Sequence, residues 1–194
     1  QAGIYARAYR LFDAGNNISY LFSVILLPLF ASVIKNGEDL QSLVKQSFSL
    51  MLTMTCVIAV ACIFYSENLM ELLYNIQENE SVEAYNHRIH ESSKILQILM
   101  GSFVSISVTY IFGTLLTANG NLRQLNIVAT TGVIINLTLN FIFIPIFKAQ
   151  GAAFTSLCVQ FATCAIQFFI AKRIFGLKLG SSFWISIFSF ITLL

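Results

Sequence analysis

The chain has 194 residues, of which 57% are hydrophobic and only 10% are charged. Soluble globular domains carry roughly 25% charged residues, so this composition excludes an ordinary soluble domain. The formal net charge is only +2 and the basic residues form no stripe, which argues against a protein that holds nucleic acid through its phosphates. The apolar residues therefore predict a protein embedded in a lipid bilayer.

Uncharged and largely apolar blocks recur along the whole chain. A helix needs roughly 20 apolar residues to cross a hydrocarbon core about 30 Å thick, and it pairs its backbone polar groups within itself. The blocks lack the alternating polarity of a barrel strand. We therefore predict an all-α, polytopic transmembrane helix bundle. The predicted spans are residues 14–34, 46–65, 95–117, 125–144 and 151–171, and a segment at 183–194 is too short to cross alone.

The first span begins in a polar segment and contains a proline. Residues 13–17 can cap the start of a helix, and within them Asn16 and Asn17 are candidates to cap the helix or to line its entrance. Pro28 removes one backbone donor, which favours a kink or a local opening of the helix. We predict that Pro28 is a hinge.

The longest polar stretch, residues 66–93, follows the second span. Its beginning, residues 67–74, is typical of a short interfacial amphipathic helix, and we expect the remainder to be a mobile loop. We interpret His87 and His90 in this stretch as solvated side chains. The four cysteines lie within apolar blocks without CxxC spacing and are interpreted as packing thiols, so we predict no metal and no cofactor.

Short connections join the later spans. Asn119-Gly120 is a strong turn signal between the third and fourth spans, and only a few residues separate Pro145 from Gly151, where the fifth span begins. Connections this short make neighbouring helices antiparallel.

The distribution of lysine and arginine over alternate loops predicts the orientation. One side carries Lys35, Lys45, Arg123, Lys172, Arg173 and Lys178, and the other carries Arg7, Arg10, Arg88, Lys94 and Lys148. We place the first side in the cytoplasm, because Arg7 and Arg10 adjoin a span and could face a cavity instead. The acidic stretch 66–93 then lies outside.

Arg10 is the main candidate for binding a ligand, because a guanidinium at the mouth of a span can form a bidentate contact with a phosphate. The alternative is an arginine that pairs with Asp13 or extends to the membrane surface. Arg7, one turn earlier, is a weaker candidate of the same kind.

Several amides lie within the spans. Asn136 and Asn140 are four residues apart and share a helix face, and Gln160 and Gln167 share a face of the next span. Such amides either bridge helices or line a path for a hydrophilic solute. No span carries a charged residue at its centre, so the sequence indicates no proton relay.

Three stretches of sequence carry a family likeness. They are residues 3–11 with the helix that ends in Leu26-Leu27-Pro28-Leu29-Phe30, residues 113–121, and residues 136–145 followed by Gly151-Ala152-Ala153. In this order they resemble the polysaccharide-unit and lipid-linked oligosaccharide flippases of the multidrug/oligosaccharidyl-lipid/polysaccharide exporter superfamily.

The resemblance implies a transporter of about fourteen helices in two pseudo-symmetric lobes. Residues 1–194 would be a fragment of the second, C-terminal lobe, from about helix eight into helix thirteen, and we expect both ends to continue in a longer polypeptide. The likeness also puts the loops at 35–45, 119–123 and 172–180 in the cytoplasm. Arg10 matches an arginine that, in related flippases, faces a cationic cavity for the pyrophosphate of a polyprenyl-linked sugar.

The function implied by the resemblance is that of a flippase, not an enzyme. It would move a polyprenyl-pyrophosphate-linked oligosaccharide or polysaccharide repeat unit across the bacterial inner membrane by alternating access. Its partners would be this lipid-linked substrate, membrane lipids and the first lobe, with no nucleic acid. Residues 29–32 depart from the Pro-x-Leu-Ser pattern of the peptidoglycan-precursor branch. This departure favours an O-antigen (lipopolysaccharide), capsule or exopolysaccharide unit over lipid II.

Three alternatives stay open at this point. The first is a multidrug or organic-cation antiporter of the same superfamily, which would need an acidic residue in the cavity of the other lobe. The second is a membrane-embedded glycosyl- or acyltransferase, which would need Asp, Glu or His near a span end. The third is a structural membrane partner, whose full chain would lack a second internal repeat.

Overall fold

The computed structural model describes residues 2–76 and 80–177. Within these ranges the chain forms helices and no strand. The helices are α1 (Ala2–Asn36), α2 (Leu40–Phe64), α3 (Ser66–Leu73), α4 (Val82–Ala118) and α5 (Leu122–Phe175). All of them except α3 are long and apolar enough to cross a membrane. The predicted all-α, polytopic bundle is confirmed, and the segment predicted at 183–194 lies outside the described residues.

The central helix of the bundle is α4, which contacts each of the other four. In its most apolar stretch 61% of the residues are buried by the rest of the protein, against 22% in α1, 33% in α2 and 11% in α5. Leu96, Leu99, Ile111 and Leu115 on α4 are completely buried. The surrounding helices keep apolar outer faces uncovered, as a bundle in a bilayer does.

Pairs of residues in contact fix the direction of each helix relative to α4. They are Gly15–Phe103, Ser19–Ser107 and Tyr20–Tyr110 for α1, Phe48–Phe112 and Ser66–Gln97 for the segment containing α2, and Gln150–Glu91, Leu157–Gly101 and Phe168–Phe112 for the last part of α5. In the pairs of α1 and of the last part of α5, a higher residue number goes with a higher residue number on α4. In the pairs of the α2 segment, a higher residue number goes with a lower one on α4. Hence α1 and residues 149–175 run parallel to α4, whereas α2 runs antiparallel to it.

The bundle therefore has two ends. We call the end with the tight turns at residues 36–40 and 118–122 the turn end. We call the opposite end, with residues 2–10, 64–76, 80–91 and 145–150, the α3 end. The lysine and arginine residues that we assigned to the cytoplasmic side, such as Lys35 and Arg123, lie near the turn end. Those assigned to the other side, such as Arg7 and Arg88, lie near the α3 end.

The helix α5 consists of two arms. Its 54 residues would extend about 81 Å if straight, far more than one membrane crossing needs. Lys148 leaves the helical conformation with φ 53° and ψ −125°, and there the chain reverses. Gly132 then lies against Thr163, and Phe143 against Phe154, so the arms 122–147 and 149–175 are antiparallel.

One of the two prolines behaves differently from the sequence-based expectation. We expected the fourth span to end at Pro145, but helical structure extends past this residue to Phe147 and the break lies at Lys148. Pro28 lies inside α1, which is one helix from Ala2 to Asn36, and the hinge expected at Pro28 stays a prediction. Proline fixes φ at a value that a helix also uses, so it can remove one hydrogen bond without ending the helix.

The polar stretch between the second and third spans is more helical than expected. The short helix predicted at residues 67–74 is present as α3 (Ser66–Leu73), but α4 begins at Val82, thirteen residues before the predicted span and within the part expected to be a mobile loop. Ser81 caps α4 by accepting a hydrogen bond from the Ala84 amide at 3.2 Å, and Glu83 lies in the first turn, where the helix dipole favours an acid. Capping extends the helix beyond its apolar core, which hydropathy alone does not predict.

Gly151 makes the tight reversal of α5 possible. A Cβ atom at this position would overlap the carbonyl oxygen of Phe143, which belongs to the opposite arm. We expect Gly151→Ala to lower the free energy of unfolding by about 1–3 kcal/mol, because the backbone itself must move. Gly101→Ala is the matched control, since its Cβ meets only the end of the Leu157 side chain. Thermal unfolding of the two variants in detergent checks the difference, and equal losses would contradict it.

The antiparallel arrangement predicts the sides from which loop residues can be reached. Glu38 lies at the turn end and Glu71 on α3, and both are exposed. With the native cysteines replaced, Glu38→Cys and Glu71→Cys should react with a membrane-impermeant maleimide from opposite sides of intact vesicles. Labelling of both from the same side would contradict the arrangement of the helices.

Candidate functional site

One exposed face of α1 is polar in the half of the helix nearest the α3 end. Arg10, Asp13, Asn17 and Tyr20 are three or four residues apart, so they lie on one helix face. All four are exposed. The opposite face, which includes Phe12, is buried against α4. Arg10, Asp13 and Asn17 therefore point away from the described bundle, whereas Tyr20 lies at the edge of this face and contacts Tyr110 of α4.

A second exposed face of α1 is apolar. Ile18, Leu21, Ile25 and Leu29 are each 46–62% exposed, again at helical spacing. Two neighbouring exposed faces of opposite character predict two different environments, one hydrated and one apolar. Beyond Tyr20 the polar face also becomes apolar, so the polar groups are confined to one half of the helix.

Arg7 is not part of this polar face. Its guanidinium carbon lies 5.4 Å from the centre of the Tyr74 ring, and the Tyr74 hydroxyl donates a 3.3 Å hydrogen bond to the Arg7 carbonyl. The Nη1 atom of Arg7 is buried and has no acceptor among the described residues. The structure therefore separates Arg7 from Arg10, although the sequence suggested the same role for both.

The polar groups within the spans also divide by position. Asn17 is exposed beside Arg10, whereas Asn16 is half-buried and its Oδ1 atom has no donor in the described part of the chain. Asn140 donates a 2.9 Å hydrogen bond to Oδ1 of Asn136, and both are half-buried. Gln160 is half-buried on the second arm of α5.

The Asn136–Asn140 pair lies away from the polar face of α1. Gly132, one turn before Asn136, contacts Thr163 on the other arm of α5, so this side of the first arm faces the second. No hydrogen bond joins the two asparagines to Arg10 or Asn17 within residues 2–76 and 80–177. The structure thus places the predicted site residues in two regions instead of one.

Sequence reasoning missed an ion pair at the α3 end. Arg88 on α4 donates from Nε and Nη2 to the two carboxylate oxygens of Glu80, at 2.7 and 2.6 Å. Nη2 also donates to the Asn75 carbonyl at 3.2 Å, and the Tyr85 ring centre lies 5.3 Å from the guanidinium carbon. The side chains of Arg88 and Glu80 are only 10% and 14% exposed, respectively. We call Arg7, Tyr74, Glu80, Tyr85 and Arg88 the outer cluster.

Neighbouring contacts attach α3 to α4 beside the outer cluster. His90 Nδ1 and Glu67 Oε1 are 2.7 Å apart, and Gln97 donates a 2.9 Å hydrogen bond to Ser66. His90 and Glu67 are more than half exposed, which agrees with the interpretation of His90 as a surface side chain.

Breaking the buried ion pair on one side should destabilise the protein. Arg88→Gln leaves the Glu80 carboxylate largely buried without its partner, which costs about 3 kcal/mol. The double variant Glu80→Gln/Arg88→Gln removes both charges, and we expect it to recover most of that loss. Unfolding titrations in mixed detergent micelles measure the difference; a double variant no more stable than Arg88→Gln would contradict it.

The comparison with known families adds an independent finding. The family model described as "Lipid II flippase MurJ" matches residues 4–194, nearly the whole chain. No curated protein gave a significant match. The match supports the predicted flippase of a lipid-linked precursor and the absence of an enzymatic reaction, but it does not support the more specific prediction of an oligosaccharide or polysaccharide unit. By this match the chain belongs to the MurJ family of lipid II flippases, as a multi-pass membrane protein.

Proposed function

We propose that this chain forms part of the second lobe of a flippase that moves a polyprenyl-pyrophosphate-linked peptidoglycan precursor across the bacterial inner membrane. The observation that carries the proposal is the exposed polar face of α1, formed by Arg10, Asp13, Asn17 and Tyr20. Arg10, Asp13 and Asn17 stay exposed in the described part of the chain, and the Tyr20 ring also contacts Tyr110 of α4. In a two-lobe transporter this face would line the cavity between the lobes.

The chemistry of the substrate matches the two exposed faces of α1. A pyrophosphate-linked sugar is hydrophilic and anionic and cannot cross hydrocarbon unaided, whereas its polyprenyl chain is apolar. The polar face would shield the head group, and an apolar environment would remain available to the lipid chain. The substrate would then cross by alternating exposure of the cavity to the two sides of the membrane, and no covalent bond would be made or broken.

Arg10 is the residue best suited to hold the pyrophosphate. It is exposed, and no ion pair joins it to Asp13 within the described residues, so the alternative of an Asp13-paired arginine gains no support. A guanidinium with free donors can form two parallel hydrogen bonds with phosphate oxygens. Asn17, two turns further along α1 and on the same face, would contact a sugar hydroxyl.

The amides of α5 would brace the bundle. Asn136 and Asn140 already use one donor and one acceptor on each other, within the space between the two arms. Both asparagines belong to the first arm, so this hydrogen bond lies within one helix, where a pair four residues apart adds about 0.2–0.5 kcal/mol, enough for a local brace. Gln160 and Asn16, both half-buried, are assigned the same supporting role. Pro28 would ease bending of α1, since its missing N–H already lacks one helical hydrogen bond.

The orientation proposed for the protein places the turn end in the cytoplasm. Lys35, Arg123, Lys172 and Arg173 lie near this end, in agreement with the positive-inside tendency. The α3 end and its outer cluster would then face the outer side of the inner membrane.

One observation favours a second cargo. After Pro28 the chain reads Leu29-Phe30-Ala31-Ser32 instead of the Pro-x-Leu-Ser pattern of the peptidoglycan-precursor branch. A repeat unit of O-antigen, capsule or exopolysaccharide on the same polyprenyl carrier is therefore the alternative substrate. The family match covers nearly the whole chain and this departure covers four residues, so we favour the peptidoglycan precursor.

Substitution of Arg10 tests the phosphate role. In the full-length protein, Arg10→Ala should lower transport by about 10- to 100-fold, the effect of losing one or two hydrogen bonds to a charged group. Arg10→Lys should retain part of the activity, and Lys94→Gln is the control for loss of a positive charge elsewhere. Translocation of fluorescent lipid II in proteoliposomes measures the rate. Full activity of Arg10→Ala at normal abundance would contradict the proposal.

The two cargoes can be distinguished by complementation. The full-length gene should restore growth to cells depleted of their lipid II flippase and should not restore surface polysaccharide to cells that lack a repeat-unit flippase. The reverse result would favour the repeat unit.

A further inference from the structure

The outer cluster holds more positive than negative charge in a largely enclosed place. It contains two guanidinium groups, Arg7 and Arg88, and one carboxylate, Glu80. Both oxygens of that carboxylate accept hydrogen bonds from Arg88. Arg7 also lies close enough to Arg88 and Glu80 to interact with both charges. The net charge of the three groups is therefore +1.

Two donors in the cluster have no acceptor. Nη1 of Arg7 and Nη1 of Arg88 are both buried and lack a hydrogen-bond partner among the described residues. Arg88 is more than nine-tenths buried as a residue. A buried donor on a charged group without an acceptor is unfavourable, so each of these atoms requires a partner such as a water molecule or an anion.

Aromatic rings hold the two guanidinium groups in place. The ring of Tyr74 lies against Arg7 and the ring of Tyr85 against Arg88, at 5.4 and 5.3 Å from ring centre to guanidinium carbon. The Tyr74 hydroxyl is also anchored to the backbone of α1. Side chains fixed in this way lose little further freedom when they bind a ligand.

We propose that Arg7 and Arg88 form an oxyanion site at the α3 end, which binds a phosphate group through the guanidinium donors that Glu80 does not use. Arg7 is only half-buried, so the ligand reaches the site from the solvent beside Arg7. The more deeply buried Arg88 supplies the second positive charge. The phosphate belongs either to the head group of an anionic lipid or to a free ion. This site is separate from the polar face of α1 and does not depend on the proposed transport function.

The test measures stabilisation of the purified full-length protein by two phosphate probes. Inorganic phosphate is titrated at constant ionic strength, and short-chain phosphatidylglycerol is titrated into the detergent micelles. Phosphatidylcholine is the control, since its choline cation offsets the charge of its phosphate and its net charge is zero. A ligand that binds only the folded state raises the unfolding temperature. Stabilisation by both probes assigns the site to phosphate in general, and stabilisation by phosphatidylglycerol alone assigns it to a lipid head group.

Variants locate the binding. Arg7→Gln should weaken the titration midpoint at least about tenfold, since charge-assisted hydrogen bonds are lost. Lys94→Gln, which removes an exposed cation from α4 at the same end of the bundle, should leave the midpoint unchanged. Should Arg7→Gln fail to fold, Arg7→Lys keeps the charge without the planar fork, and its midpoint should be weakened less than tenfold but measurably.

Three results would overturn the proposal. The first is no stabilisation of the wild type by either probe. The second is phosphatidylcholine acting as strongly as phosphatidylglycerol. The third is a wild-type midpoint in every Arg7 variant that folds.

Discussion

The bundle depends on close contact between α4 and its neighbours. Helices in a bilayer gain little from hiding apolar surface, because lipid chains are equally apolar, and they associate through packing and hydrogen bonds between small residues. Here Ser19 and Ser107 share a 2.7 Å hydrogen bond between α1 and α4. One turn earlier Gly15 lets the ring of Phe103 approach, and Gly101 admits a Leu157 methyl group from α5. These contacts decide which face of each helix is turned inward.

The same contacts leave the polar face of α1 free. Once one face of α1 is fixed against α4, helical spacing determines that Arg10, Asp13 and Asn17 point outward, beside an apolar face. Exposed polar groups in the first half of α1 are unfavourable in contact with hydrocarbon, so they need a hydrated space or another polar surface. The packing of α1 on α4 thus determines which polar side chains are left for such a surface.

Much of the fold follows from the sequence, because the absence of charge over about 20 residues is a direct consequence of the bilayer. What the sequence did not predict depends on local or tertiary geometry. The start of α4 at Val82 reflects capping by Ser81, which a hydropathy pattern does not register. The short connection before Gly151 did predict an antiparallel reversal, but its position at Lys148, three residues past Pro145, depends on the close approach of the Phe143 carbonyl to Gly151.

The candidate site was harder to predict for the same reason. Arg7 and Arg10 look equivalent in the sequence, three residues apart before one span. On a helix that spacing turns one side chain about 60° from the other. Because Tyr74, the residue after α3, lies against Arg7, it covers the side of Arg7 and leaves Arg10 exposed. Two arginines at the mouth of one span can therefore have different surroundings, and the neighbouring polar segment, not the span itself, decides which.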